Sequence, residues 1–324
     1  MSKKTKNRLN VLAFLAPAIF LFVGVLIAPI VISLVYSFFD MHTYDLGSSA
    51  FCGFDNYKQL FDTGEVGFFK AFFTFERAYG SGFVTSIKNS LILAFFSVFV
   101  QLPISLGLAL LLGKKMKGEK ALLTINFIPV LISTVIIAQM FQAIYYPGSG
   151  LLDAICDRVF HHPEWRQELF ITGKGVEMMQ NKLWINVNKA SLPALLIPTI
   201  WQYVGYHMLL MYAGVKGVSI DLREAAMLDG ATEGQINRFI VIPIIKPILK
   251  VSVIFAVTGS FKSYDVIKLL IGDNYNHIND VPSIFLVRDL SANNYGRASA
   301  IAMVLILMCF IFALLISRAF KEAE

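Results

Sequence analysis

Six long apolar stretches in a chain of 324 residues constrain this protein more than any other feature. Leu12–Phe39, Ser90–Leu112, Ala121–Tyr145, Leu192–Val215, Ile240–Phe261 and Ala298–Ile316 each come close to or exceed the ~20 residues that carry a helix across the hydrocarbon core of a bilayer. Five contain no Lys or Arg; the fifth stretch carries Lys246 and Lys250 near its start, where an interface is expected. The first is overlong, so it tilts or extends beyond the bilayer. With 56% hydrophobic and 15% charged residues, the chain is too apolar for a soluble globular domain. The expected fold is an all-α membrane protein of six transmembrane helices, in one domain over residues 1–324.

The basic residues suggest an orientation. Lys3, Lys4, Lys6 and Arg8 precede the first span, whose apolar run is too long for the ~7–15-residue core of a signal peptide, so a retained helix is expected. With the N-terminus inside, the inner segments hold 15 Lys and Arg in 61 residues and the outer ones 13 in 131. That density difference places both termini in the cytoplasm. The net charge of +6 lies beside spans rather than in a separate basic domain, which argues against nucleic-acid binding.

A polar island runs from Ser219 to Pro247, between the fourth and fifth spans. Ser219 or Asp221 can cap a short helix containing Glu224, Ala225 and Ala226, and Gly230 suits a left-handed helix end. A second short helix is predicted from Thr232 to about Phe239, ahead of Pro243. The pair makes a compact knob (219–243) suited to docking into another protein.

Glu224-Ala225-Ala226, then Asp229-Gly230-Ala231, Ile240 and Pro243 resemble the EAA loop of ABC importer membrane subunits, in the carbohydrate-uptake branch. Weaker pieces fall in the same order as in that family: Phe14-Leu15-Ala16-Pro17-Ala18 with Pro29, Gly53-Phe54-Asp55-Asn56-Tyr57, Asn89 to Ala109, Phe127-Ile128-Pro129, Tyr146-Pro147-Gly148, Trp201-Gln202-Tyr203-Val204-Gly205, Gly259-Ser260-Phe261-Lys262 and Ala298-Ser299-Ala300. Ser219-Ile220 stands where the family often has Ile-Pro, and within the outer insertion at 147–191 the part near 155–190 falls outside the match.

The resemblance implies a type I ABC importer permease bundle in a bacterial cytoplasmic membrane. It implies a second permease, two ATPase subunits and an extracytoplasmic solute-binding protein as partners. This chain would bind no cofactor, ATP and Mg belonging to the ATPases. Glu224, with Ala225, Ala226, Asp229, Gly230, Ile240 and Pro243, would couple to the ATPase. Candidate substrate-pathway residues are the polar and aromatic side chains inside spans: Gln139, Gln142, Trp201, Gln202, Tyr206, Tyr264 and Asp265. Amides, carboxylates and rings suit a carbohydrate, though the same residues can glue helices or line the interfacial belt. A permease for glycerol phosphate or another small polyol derivative is the neighbouring alternative.

Other chemistries lack their residues. There is no G-x-x-x-x-G-K-[ST] loop, no H-E-x-x-H and no G-x-S-x-G, so the chain carries no usual P-loop motor and no hydrolase motif. His161-His162 without nearby cysteines reads as a solvated loop rather than a metal site. Cys52 and Cys156 fall in outer segments with uninformative spacing, and Cys309 lies in the sixth span. The middles of the spans hold no Asp or Glu, which weakens an ion-coupled carrier without excluding one, since backbone carbonyls can hold sodium.

Overall fold

The computed structural model describes residues 14–43, 45, 47, 49–73, 81–114, 117–145, 150–158, 191–271 and 279–320. Lys3, Lys4, Lys6, Arg8, residues 146–149, His161-His162 and most of the 147–191 insertion lie outside them. The described residues are mainly helical. In chain order they form α1 (Phe14–Tyr36), a two-strand ribbon β1 (Phe39–Asp40) and β2 (Ala50–Phe51), α2 (Asp55–Leu60) and α3 (Phe68–Phe73). Next come α4 (Phe83–Leu112), α5 (Glu119–Leu131), α6 (Thr134–Ile144), α7 (Leu151–Arg158) and α8 (Ser191–Gly217). The chain continues through α9 (Ile220–Leu228), α10 (Glu233–Ile244), α11 (Lys246–Phe261), α12 (Asp265–Ile271) and α13 (Pro282–Ser291), to α14 (Tyr295–Ala319).

Prolines leave a recurring mark on these helices. In α1, Ala28 donates its N–H to the Val23 carbonyl. In α4, Leu102 donates to Ser97, and in α10, Ile242 donates to Asn237. Each bond reaches five residues back instead of four, and each donor immediately precedes a proline: Pro29, Pro103 or Pro243. A proline has no N–H to give, and its ring collides with the carbonyl four residues earlier; a widened turn there lets the helix continue past it. The second helix of the polar island therefore does not stop near Phe239, as its sequence predicts, but runs through Pro243 to Ile244.

The six expected spans are not all single apolar helices. By length and composition, α1, α4 and α14 can each cross a membrane, at 23, 30 and 25 residues. The Ala121–Tyr145 stretch is instead two helices, α5 and α6, bent by 94°, and Ile240–Phe261 is spread over α10 and α11, bent by 72°. Ser133 adopts an extended conformation at the first break. The second break falls at Ile245, with φ −86° and ψ 5°, and Pro247 stands in the first turn of the helix that follows. Counting each bent pair as one gives up to five spans among the described residues. The remaining expected span, Leu192–Val215, is α8: its 27 residues would reach about 40 Å, but Gln202, Tyr203, Tyr206 and His207 make its middle too polar to qualify.

Two compact units divide the chain. Within the one formed by residues 63–284 and 308–324, α8 is the centre. One cluster packs its Ala194, Leu195 and Leu196 with Leu93 of α4, Ile137 and Phe141 of α6, and Val266, Ile267 and Leu270 of α12. A second packs its Met208, Met211 and Val215 with Leu102, Ala109 and Leu112 of α4 and Val241 of α10. Gly205 shows how close α5 comes to α8, since a Cβ there would overlap the Asn126 carbonyl. Within the unit formed by residues 1–62 and 285–307, buried Asn56 donates to the Ser37 and Phe39 carbonyls at 2.9 and 3.0 Å. Asp289, 2% exposed, takes both contacts of the Arg297 guanidinium, at 2.6 and 2.7 Å.

Candidate functional site: a capped knob and a polar cavity

The knob is closed at every backbone end. The Ser219 hydroxyl accepts the Asp221 N–H at 3.2 Å and caps α9. At the other end, Gly230 has φ +82°. The Ala231 N–H reaches the Ala226 carbonyl at 2.9 Å and the Gly230 N–H reaches Met227 at 3.0 Å. These are the paired bonds of a Schellman turn, which needs a left-handed residue at that point. No atom crowds the space a Gly230 Cβ would fill, so conformation rather than packing selects glycine there. Thr232 and Gln235 then cap α10 reciprocally, each side chain taking the other's backbone N–H.

The knob's side chains are left open. Glu224, Ala225, Asp229, Gly230 and Pro243 are exposed; Ala226 and Ile240 are half-buried and pack on the second cluster. Ile220, Leu222 and Met227 are about half exposed, and Leu228 is 89% exposed. Asp221, not Glu224, occupies the first turn of α9. Dipole stabilisation fades beyond that turn, so Glu224 adds little to its own helix.

Polar contacts tie the knob to the end of α8. The Arg223 guanidinium donates to the Val215 carbonyl at 3.2 Å, meeting a cation's preference for a helix C-terminus. Lys114 and Glu233 stand 3.7 Å apart. Glu119 accepts from the Tyr212 hydroxyl and from Lys216 at 3.0 Å, joining α5 to α8 at the same level.

About 12 Å further along α8, eight residues back from Val215, lies a cavity of about 420 Å³. Its wall takes Tyr203, Tyr206 and His207 from α8, Ser97 and Gln101 from the widened turn of α4, and Thr134 from the α5–α6 bend. The end of α11 and the start of α12 add Thr258, Ser260, Lys262, Tyr264 and Asp265. The volume lies in the range of small-molecule sites.

Of the sequence candidates, the structure brings Tyr206, Tyr264 and Asp265 together in this wall. The others lie elsewhere. Gln142 donates to the Leu269 carbonyl at 2.7 Å, tying α6 to α12. Trp201 sits edge-on to Phe141. Gln202 is 4% exposed and Gln139 is on the surface of α6. Ser97, Gln101, Tyr203 and His207 were missed, although Tyr203 and His207 are one helical turn apart and the polar middle of α8 was a visible signal. Among the described residues no three His, Cys, Asp or Glu could hold a metal. Cys52 and Cys309 are free thiols.

An apolar helical chain with an exposed, capped knob and a polar cavity fits the class of a membrane permease component. Residues 81–321 match the family described as "Binding-protein-dependent transport system inner membrane component", and the chain belongs to that family. It is 29% identical to the "Probable ABC transporter permease protein" of Pyrococcus horikoshii over 94% of this chain and 93% of that one. It is 23% identical to the diacetylchitobiose uptake system permease of Streptomyces coelicolor over 94% of this chain and 80% of the relative. The fold matches a chain of a bacterial ABC transporter importing the acidic polysaccharide alginate. The TM-score is 0.74 at 22% identity, over 99% of this chain and 98% of the other.

Proposed function

We propose that this chain is a membrane-spanning subunit of an ATP-driven, binding-protein-dependent importer of a carbohydrate, an oligosaccharide by preference, in a bacterial cytoplasmic membrane. It acts as one permease domain with both termini cytoplasmic. Its partners are a second permease, two ATPase subunits that hold ATP and Mg, and an extracytoplasmic solute-binding protein. The observation that carries the reading is the knob, whose backbone is closed at both ends while Glu224, Leu222 and Leu228 are open for a partner. Docked in an ATPase cleft, the knob would move with the motor. Arg223 and the cluster beneath it would pass that movement to α8, which lines the cavity. The cavity is then a stretch of the substrate path, with its rings against the apolar faces of sugars and its polar groups toward hydroxyls.

Reconstitution tests this directly. Proteoliposomes carrying the co-purified complex should take up sugar only with ATP and the binding protein, and Glu224→Lys should remove uptake while leaving insertion intact. Uptake by this chain alone, without ATP, would establish an ion-coupled carrier instead.

A further inference from the structure

The cavity wall carries both halves of a hydrogen bond: Gln101, Lys262 and the Tyr203, Tyr206 and Tyr264 hydroxyls can donate, while three other hydroxyls are held as acceptors. Three of its hydroxyls have committed their protons to carbonyls of their own helices: Thr199 to Leu195 at 2.9 Å, Thr258 to Ile254 at 2.7 Å and Ser260 to Ala256 at 2.8 Å. A hydroxyl with its proton engaged offers the cavity lone pairs only. His207, 4% exposed, adds a buried Nδ1 with no hydrogen-bond partner. A buried polar atom in that state favours a ligand that completes it. Among the described lining residues the charges are one cation, Lys262, and one anion, Asp265, which leave no net positive field.

Resting on the carbohydrate-importer reading, we propose that this cavity selects neutral, polyhydroxylated saccharides and rejects those bearing carboxylate or phosphate. Sugar hydroxyls bring the donors that Thr199 and Thr258 lack; Ser260 already faces the Ser97 hydroxyl at 3.3 Å. A carboxylate or phosphate only accepts, so it leaves those oxygens unmatched, and it meets Asp265 as well as Lys262. An ion taken from water into a site without net compensating charge loses hydration it does not recover. On this selectivity the chain would differ in cargo from the alginate importer whose fold it matches, and glycerol phosphate would be rejected with the other anions.

The test is a competition read by native mass spectrometry on the full permease–ATPase complex in nanodiscs. The probes are maltotriose, cellotriose and triacetylchitotriose against trigalacturonate, triguluronate and glycerol 3-phosphate, all at equal concentration. The expected result is retention of a neutral trisaccharide at least tenfold over every anionic probe. Asp265→Asn should narrow that ratio at least threefold by leaving Lys262 as the only charge among the described lining residues. Tyr206→Ala should lower retention of all probes together, and Thr199→Val, nearly isosteric, should weaken only the neutral ones. An anionic probe retained at parity or better, yet lost in Tyr206→Ala, overturns the selectivity and leaves the cavity as the sugar path. No saccharide retained, or retention indifferent to Tyr206→Ala, overturns the path itself and the selectivity with it. Each variant is compared at equal recovery of monodisperse complex.

Discussion

In the knob, consecutive residues satisfy the backbone and leave the side chains open; in the cavity, residues from five helices turn many side chains inward and satisfy them on their own helices. Ser219, Gly230 and the Thr232–Gln235 pair close α9 and α10 within seventeen residues of sequence. The cavity instead draws on α4, α6, α8, α11 and α12, and depends on how closely those helices approach. A local device of the first kind tolerates surface change but not loss of its turn. An assembled device of the second kind tolerates single polar changes but not a change of helix spacing.

The largest effect expected from this contrast is at Gly205, where α5 and α8 nearly touch. Gly205→Val should leave no recoverable monodisperse protein, because its Cβ would meet backbone rather than a side chain that can move aside, whereas knob variants should be recovered at wild-type levels. Equal recovery would show that the spacing of α5 and α8 is not fixed there. Next, Glu224→Lys should cut ATP-dependent uptake by more than 100-fold at unchanged membrane content. One-sided loss of a desolvated charge pair costs about 3–5 kcal/mol. Substantial uptake by that variant would leave the knob's open face without its proposed role.

Gly230→Val forces a β-branched residue into the left-handed region, costing roughly 1–2 kcal/mol. About a tenfold weaker association with the ATPase is expected, measured by pull-down from solubilised membranes, with the sugar's KM unmoved. A change in KM without a change in association would place Gly230 in the substrate path. The smallest effect is at Gln142, whose amide ties α6 to α12. Gln142→Ala should cost about 1 kcal/mol of thermal stability and leave uptake unchanged across concentrations; a raised KM would return it to the pathway.

The contrast also explains what the sequence could disclose. The knob was legible because capping and turn chemistry act over a few consecutive residues, so Ser219, Glu224 and Gly230 announce themselves in order. Its downstream limit was misread because Pro243 reads as a stop. The widened turn at Asn237–Val241 that lets the helix pass leaves no residue signature other than the proline itself. The bend between α5 and α6 was hidden because Ile132-Ser133-Thr134 contains neither Gly nor Pro. Within the cavity, the period of α8 could have paired Tyr203 with His207. Whether a polar side chain faces a cavity or a neighbouring carbonyl, as Gln142 does, depends on the opposite helix, which periodicity does not contain.

On the proposed function, the open face of the knob belongs to a separate motor subunit. Leu228, at 89% exposure, is the position to ask. A photo-crosslinking phenylalanine analogue at Leu228, activated in the assembled complex in native membranes, should give one major adduct, between this chain and the ATPase subunit. That adduct should be lost when the ATPase is not co-expressed. An adduct with lipid or with the extracytoplasmic binding protein, or no protein adduct in a transport-competent complex, would contradict it.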